Sequence, residues 1–82
     1  MRIDKFLNSV NITKRRAIAQ DMLANKVVAI NGVTVKPAKE VKVGDTITMT
    51  FLEYVKNYKV LDIPKTKTIP KTAQDQYVKE IV

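Results

Sequence analysis

Residues 27–35 read VVAINGVTV, and this run leaves the chain few conformational options. Branched side chains are stiff at χ1 and fit a pleated strand better than a helix. Asn31 and Gly32 sit between the two apolar halves and tolerate positive φ. They match the two-residue hairpin turn in which both central residues need that conformation. The alternation recurs in residues 46–52, TITMTFL, with Ile47, Met49 and Phe51 on one face and Thr46, Thr48 and Thr50 on the other. That spacing predicts a half-buried strand. Residues 36–45, KPAKEVKVGD, connect the two strand regions and close on a Gly44-Asp45 turn. Residues 57–63, NYKVLDI, read as a further strand whose inward face is ambiguous.

Two helices are expected ahead of the hairpin. Ile3, Phe6, Leu7 and Val10 recur at the spacing of one helical face, Asp4 lies at the favourable end of the dipole, and Asn11 suits a left-handed stop. Thr13 is a good N-cap for a second helix carrying Ile18, Ala19, Met22 and Leu23 and ending near Leu23 or Ala24. The short link between them implies a tight helical corner. Beyond the strands, residues 64–72, PKTKTIPKT, have no usable period and two prolines, which predicts a surface connection. Thr72 and Asp75 resemble a helix start, with Tyr77, Val78 and Ile81 placed to dock a short terminal helix. The expected architecture is α+β: two N-terminal helices on a small, largely antiparallel sheet, with a short C-terminal helix.

Composition narrows the chemistry. The 82 residues contain no cysteine and no histidine, which removes thiol chemistry and the commonest general base and metal ligand. Eight scattered carboxylates and two glycines build neither an obvious acid–base pair nor a glycine-rich phosphate loop. A binding module without a cofactor is expected rather than an enzyme. No apolar run is long enough to cross a membrane, and the opening MRIDKFLNSV mixes charge with apolar residues too early for a secretory signal. A soluble, cytoplasmic monomer with no membrane partner is the expectation.

Charge supplies the functional lead. Residues 1–39 hold eight Lys and Arg against two acids, a balance of +6. Residues 40–82 hold seven against six, a balance of +1. Localised positive charge on a small domain points to a polyanion. With Thr13 as N-cap, the first turn of the second helix would hold Lys14, Arg15 and Arg16. Cations there oppose the helix dipole by roughly 0.3–1 kcal/mol each, while favouring a bound phosphate. Arginine can grip phosphate through two parallel hydrogen bonds. No aromatic residue interleaves the basic segment, which favours the backbone and shape of a structured RNA over stacked single strands.

RIDKFL, TKRRAIAQDM and VVAINGVTVKPAKEVKVGDTI, taken in order, resemble the RNA-binding domain named after ribosomal protein S4. The likeness spans about residues 1–50, the core of an expected RNA-binding domain at 1–63, with 64–82 a basic connection and C-terminal segment docking on it. Within that family, the length and the opening are most similar to small stand-alone bacterial ribosome quality-control factors. Next come the fifteen-kilodalton heat-shock proteins, which have a longer basic tail. The resemblance implies binding to obstructed large ribosomal subunits through ribosomal RNA and peptidyl-tRNA. There the factor would support C-terminal tailing of stalled chains beside a tailing factor of the NEMF type.

By position, the resemblance makes Arg2 and Arg16 the leading RNA contacts, supported by Lys14, Arg15, Lys5 and Lys36. The family has glycine just after the second helix, where this chain has Asn25-Lys26. Asn25 is expected to take the left-handed cap, and Lys26 adds a cation near the site. Arg16→Ala is expected to weaken RNA binding without unfolding the domain, even relieving the dipole slightly. A helix-turn-helix DNA binder, a ribosome-assembly factor and a protein-interaction adaptor using the Thr-faced sheet are the alternatives.

Overall fold

The structure, a computed structural model, describes residues 1–81. Two helices, α1 (Ile3–Ser9) and α2 (Arg16–Ala24), precede β1 (Val28–Ile30), β2 (Val33–Thr34), β3 (Thr46–Thr50) and β4 (Val55–Val60). A 3-10 helix (Lys71–Gln76) and β5 (Val78–Ile81) complete the described residues. The strands form one sheet in the order β2-β1-β3-β4-β5, with every neighbouring pair antiparallel. The expected α+β arrangement is the one observed. Among the described residues no helix is long and apolar enough to cross a membrane.

The helical stripe and the strand alternation meet in the core. Ile3, Phe6, Leu7 and Val10 are fully buried and join Ala19 and Leu23 of α2 with Val28, Ile30, Ile47 and Met49 of the sheet. Each of these side chains larger than alanine contributes about 1.5–3 kcal/mol on burial. At the hairpin, Asn31 and Gly32 have φ of 51° and 85°, and Ile30 pairs with Val33. The Asn31 side chain also accepts the Thr46 N–H at 3.0 Å and donates to Asp45 at 3.1 Å, fastening the turn to the start of β3.

Thr13 does not cap α2. Asn11 stops α1 with φ 64°, and the next two N–H groups, of Ile12 and Thr13, both turn back to the Leu7 carbonyl. Thr13 is buried in this corner, with no partner for its hydroxyl among the described residues. The chain then runs extended through Arg15 (φ −139°, ψ 147°) before the helix begins at Arg16. A corner folded onto α1 needs those two extra residues to reach the axis of α2.

The C-terminal segment is the second correction. The short helix exists, but as a 3-10 turn over Lys71–Gln76. Val78 and Ile81 belong to β5, where they pair with Val60 and Asn57 of β4. Val78 is buried beside exposed neighbours, a strand pattern too short to be told from a helical turn by sequence alone. β4 itself starts at Val55, earlier than the expected residue 57.

The left-handed residue after α2 is Lys26 (φ 60°), while Asn25 keeps an ordinary φ of −88°. The Val27 N–H returns to the Met22 carbonyl at 2.9 Å, so the closing turn is set one residue later than the Asn would place it. Left-handed φ costs a residue with a Cβ about 1–2 kcal/mol, and glycine gives back about 0.5–1 kcal/mol through its freer unfolded chain. Lys26→Gly is therefore expected to stabilise the domain by up to about 1 kcal/mol. A thermal midpoint below that of the wild type would contradict this account.

Candidate nucleic-acid interface

Asp4 organises the basic residues. Its carboxylate is fully buried at the start of α1, yet its Oδ2 accepts hydrogen bonds from Arg2 Nη2 (3.2 Å), Arg16 Nε (3.2 Å) and Gln20 Nε2 (3.1 Å). Its Oδ1 accepts the Lys5 N–H at 2.8 Å. Burial pushes the carboxyl up, but hydrogen bonds from Gln20, Arg16 and the Lys5 N–H, with the Arg16 charge, outweigh it and hold Asp4 below its ordinary value of 3.8. The carboxylate is thus charged at neutral pH.

The two arginines remain available. Their side chains are 48% and 44% exposed, so each guanidinium reaches from a buried anchor to solvent. One carboxylate against two guanidiniums leaves the cluster positive. Arg16 uses Nε for Asp4, which keeps its two terminal amino groups free of that bond and able to fork onto a phosphate. Arg16 and Gln20 lie one turn apart on α2 and face the same carboxylate.

The loop at residues 36–39 closes against the same end of α1. The Ile3 N–H donates to the Lys39 carbonyl at 2.7 Å, and the Asp4 N–H to the Pro37 carbonyl at 3.4 Å. Lys36 and Lys26 line one groove of about 290 Å³ with Leu23, Thr34, Val35 and Pro37. The structure therefore brings Arg2 to Arg16, and Lys26 to Lys36. Lys5 is exposed on α1 beside Asp4. Lys14 and Arg15 are exposed on the approach to α2, Arg15 with extended backbone, rather than within its first turn, where only Arg16 of the three lies. None of these five lysines and arginines outside the Asp4 pair forms an ion pair among the described residues.

The charge pattern of the chain assigns Asp4 to the helix dipole and does not single out Gln20. The only sequence trace of the cluster is the Arg16, Gln20 spacing on one helix face, which is too common to point at a carboxylate 12 residues upstream of Arg16. Arg16 also acquires a structural role that the dipole argument lacks, because it helps neutralise a buried charge.

A family model, the S4 domain, matches residues 1–47, more than half of the chain. The chain belongs to the S4 domain family. The match contains Arg2, Asp4, Arg16, Gln20 and the hairpin, so the whole Asp4 cluster lies inside the S4 domain. The RQC P-site tRNA stabilizing factor of Helicobacter pylori strain J99 is 45% identical over 78 residues, 95% of this chain and 93% of that protein. Its counterpart in Bacillus subtilis is 33% identical over 66 residues, 80% of this chain and 77% of that protein. Among solved structures, Vibrio cholerae heat shock protein 15, determined as a trimer, superposes with a TM-score of 0.88 at 27% identity. The superposition covers 99% of this chain and 81% of that one. Both groups that the sequence resembles are thus represented among its relatives.

Proposed function

We propose that this S4 domain is a ribosome-associated quality-control factor that binds obstructed large ribosomal subunits. It grips large-subunit ribosomal RNA and peptidyl-tRNA through Arg2 and Arg16, with Lys5, Lys14, Arg15, Lys26 and Lys36 in support. In this reading it holds the tRNA while a NEMF-type factor extends the stalled chain, and it works as a cytoplasmic monomer. The observation that carries the reading is the pair of half-exposed guanidiniums anchored on buried Asp4. Anchoring lowers the freedom that each side chain would lose on binding phosphate. The relatives named for stabilising P-site tRNA in ribosome quality control supply the biological setting.

Co-sedimentation on a sucrose gradient tests it. The protein is expected with free large subunits carrying peptidyl-tRNA, and not with intact ribosomes. Binding to the isolated RNA should weaken steeply with salt, with a log–log slope of about −0.7 to −0.9 per phosphate contacted. Absence from large subunits at low salt, or a preference for duplex DNA over tRNA in competition, would overturn the reading.

A further inference from the structure

The segment at residues 64–72 looks from sequence like a mere connection, and it lies outside the part matched by the S4 model. Its backbone is nevertheless fixed to the corner between α1 and α2. Ser9, fully buried, donates its hydroxyl to the Lys67 carbonyl at 2.6 Å, and its own carbonyl accepts the Ile69 N–H at 3.0 Å. Asn11 Nδ2 donates to the Ile69 carbonyl at 2.7 Å, and Gln74 Nε2 donates to the Val10 carbonyl at 2.7 Å. Ile69 is buried, so the strap is also pinned by an apolar anchor.

Along this strap Lys65, Lys67 and Lys71 are all exposed, with Thr66, Thr68 and Thr72 beside them. No acidic residue occurs from Pro64 to Gln74, and none of the three lysines forms an ion pair among the described residues. The near-neutral balance of residues 40–82 conceals this run, because the acids lie elsewhere. The same corner leads directly into Lys14 and Arg15.

We propose that the strap is a second phosphate-contacting element, which together with Lys14 and Arg15 makes a basic surface at the α1–α2 corner for the sugar–phosphate backbone of the bound RNA. This rests on the RNA-binding reading above and extends it to residues beyond the S4 core. Lysine ammoniums and threonine hydroxyls are donors suited to phosphate oxygens and carry no base preference, so the strap positions RNA without reading its sequence. Three hydrogen bonds hold it in place before RNA arrives, and a fourth ties Gln74 just beyond it to Val10, which separates it from a flexible basic tail that must be ordered on binding.

The test compares full-length variants by fluorescence anisotropy on labelled tRNA and on a large-subunit RNA fragment, from about 50 to 200 mM salt. Lys65→Gln, Lys67→Gln and Lys71→Gln combined should lower affinity about tenfold or more and flatten the salt slope by about one for each phosphate no longer engaged. The thermal midpoint should stay unchanged, because these side chains are exposed. Asn11→Gly keeps the left-handed turn and every charge but removes the side-chain hydrogen bond to the Ile69 carbonyl, loosening the strap, and it should also bind more weakly. Lys59→Gln with Lys79→Gln, at cross-strand partners on β4 and β5, is the control. Equal reductions per charge in strap and control would reduce the effect to net charge and overturn the proposal. Wild-type affinity in the strap triple, with weakened binding in Arg16→Ala, would remove the strap and leave the RNA reading intact. Unchanged affinity in both would remove the RNA reading itself.

Discussion

Asp4→Asn is expected to lower the thermal midpoint and to weaken RNA binding, although it raises the net charge by one. The carboxylate is fully buried and receives four hydrogen bonds, two of them from guanidiniums. Removing one member of a buried ion pair typically costs 3–5 kcal/mol, but both guanidiniums here keep contact with water, so about 2–3 kcal/mol is expected. For a domain of this size that is a fall of roughly 10 °C or more. The binding result separates orientation from charge count. If net charge alone attracted RNA, the variant would bind more tightly. If Asp4 aims Arg2 and Arg16, it binds more weakly despite the added charge.

The same pair of proteins has a defined pH signature. The folded-state pKa of Asp4 lies below its ordinary value, so its stabilisation is complete above about pH 4 and is lost as pH falls through the lower, folded value. Melts recorded from neutral pH downward should show the wild type keeping its advantage over Asp4→Asn until about pH 4, losing it progressively as pH falls toward the lower folded value, and losing no more below that value. A gap between the two that persists unchanged into strong acid would mean that the carboxylate charge contributes nothing.

Arg16→Ala should produce the larger loss of binding. Hydrogen bonds to charged groups contribute about 1.5–3 kcal/mol each, so a fall of roughly 10- to 100-fold in affinity is expected. Stability should fall by only about 1 kcal/mol, since Asp4 keeps Arg2, Gln20 and the Lys5 N–H. The sequence-based expectation of a slightly stabilised helix is reversed, because Arg16 serves a buried carboxylate as well as facing the dipole. Arg16→Lys distinguishes charge from geometry. One ammonium cannot hold Asp4 and also fork onto a phosphate, so Lys should recover part of the stability and little of the affinity. Wild-type affinity in Arg16→Ala, measured at the same salt, would dismiss Arg16 as a contact.

What can be read from the chain is what neighbouring residues decide. Ile3, Phe6, Leu7 and Val10 declare a helix face, Asn31-Gly32 declares a hairpin turn, and Ile47 with Met49 declares the inner side of a strand. Each rests on backbone geometry within a few residues, and each is observed. The basic composition of residues 1–39 is equally plain. Its arrangement is not, because charge patterning says how many cations there are and not which of them share a counter-ion.

Tertiary contacts settle the rest. Thr13 suits a cap by type and position, but the Leu7 carbonyl draws the corner back and moves the helix start to Arg16. The left-handed residue is Lys26 rather than Asn25, because the exit from α2 has to lead into β1. Asp4 meets partners 12 and 16 residues away, and the strap meets α1 across 58 residues. Such pairings depend on which surfaces the core brings together, and no local period encodes them. The sequence by itself settles that this chain has a helix pair, a hairpin sheet and an excess of positive charge at one end. Only the fold decides that a buried carboxylate gathers two arginines there, because a carboxylate taken out of water needs donors and positive charge brought to it by packing, and Arg2 and Arg16 supply both beside Gln20 and the Lys5 N–H.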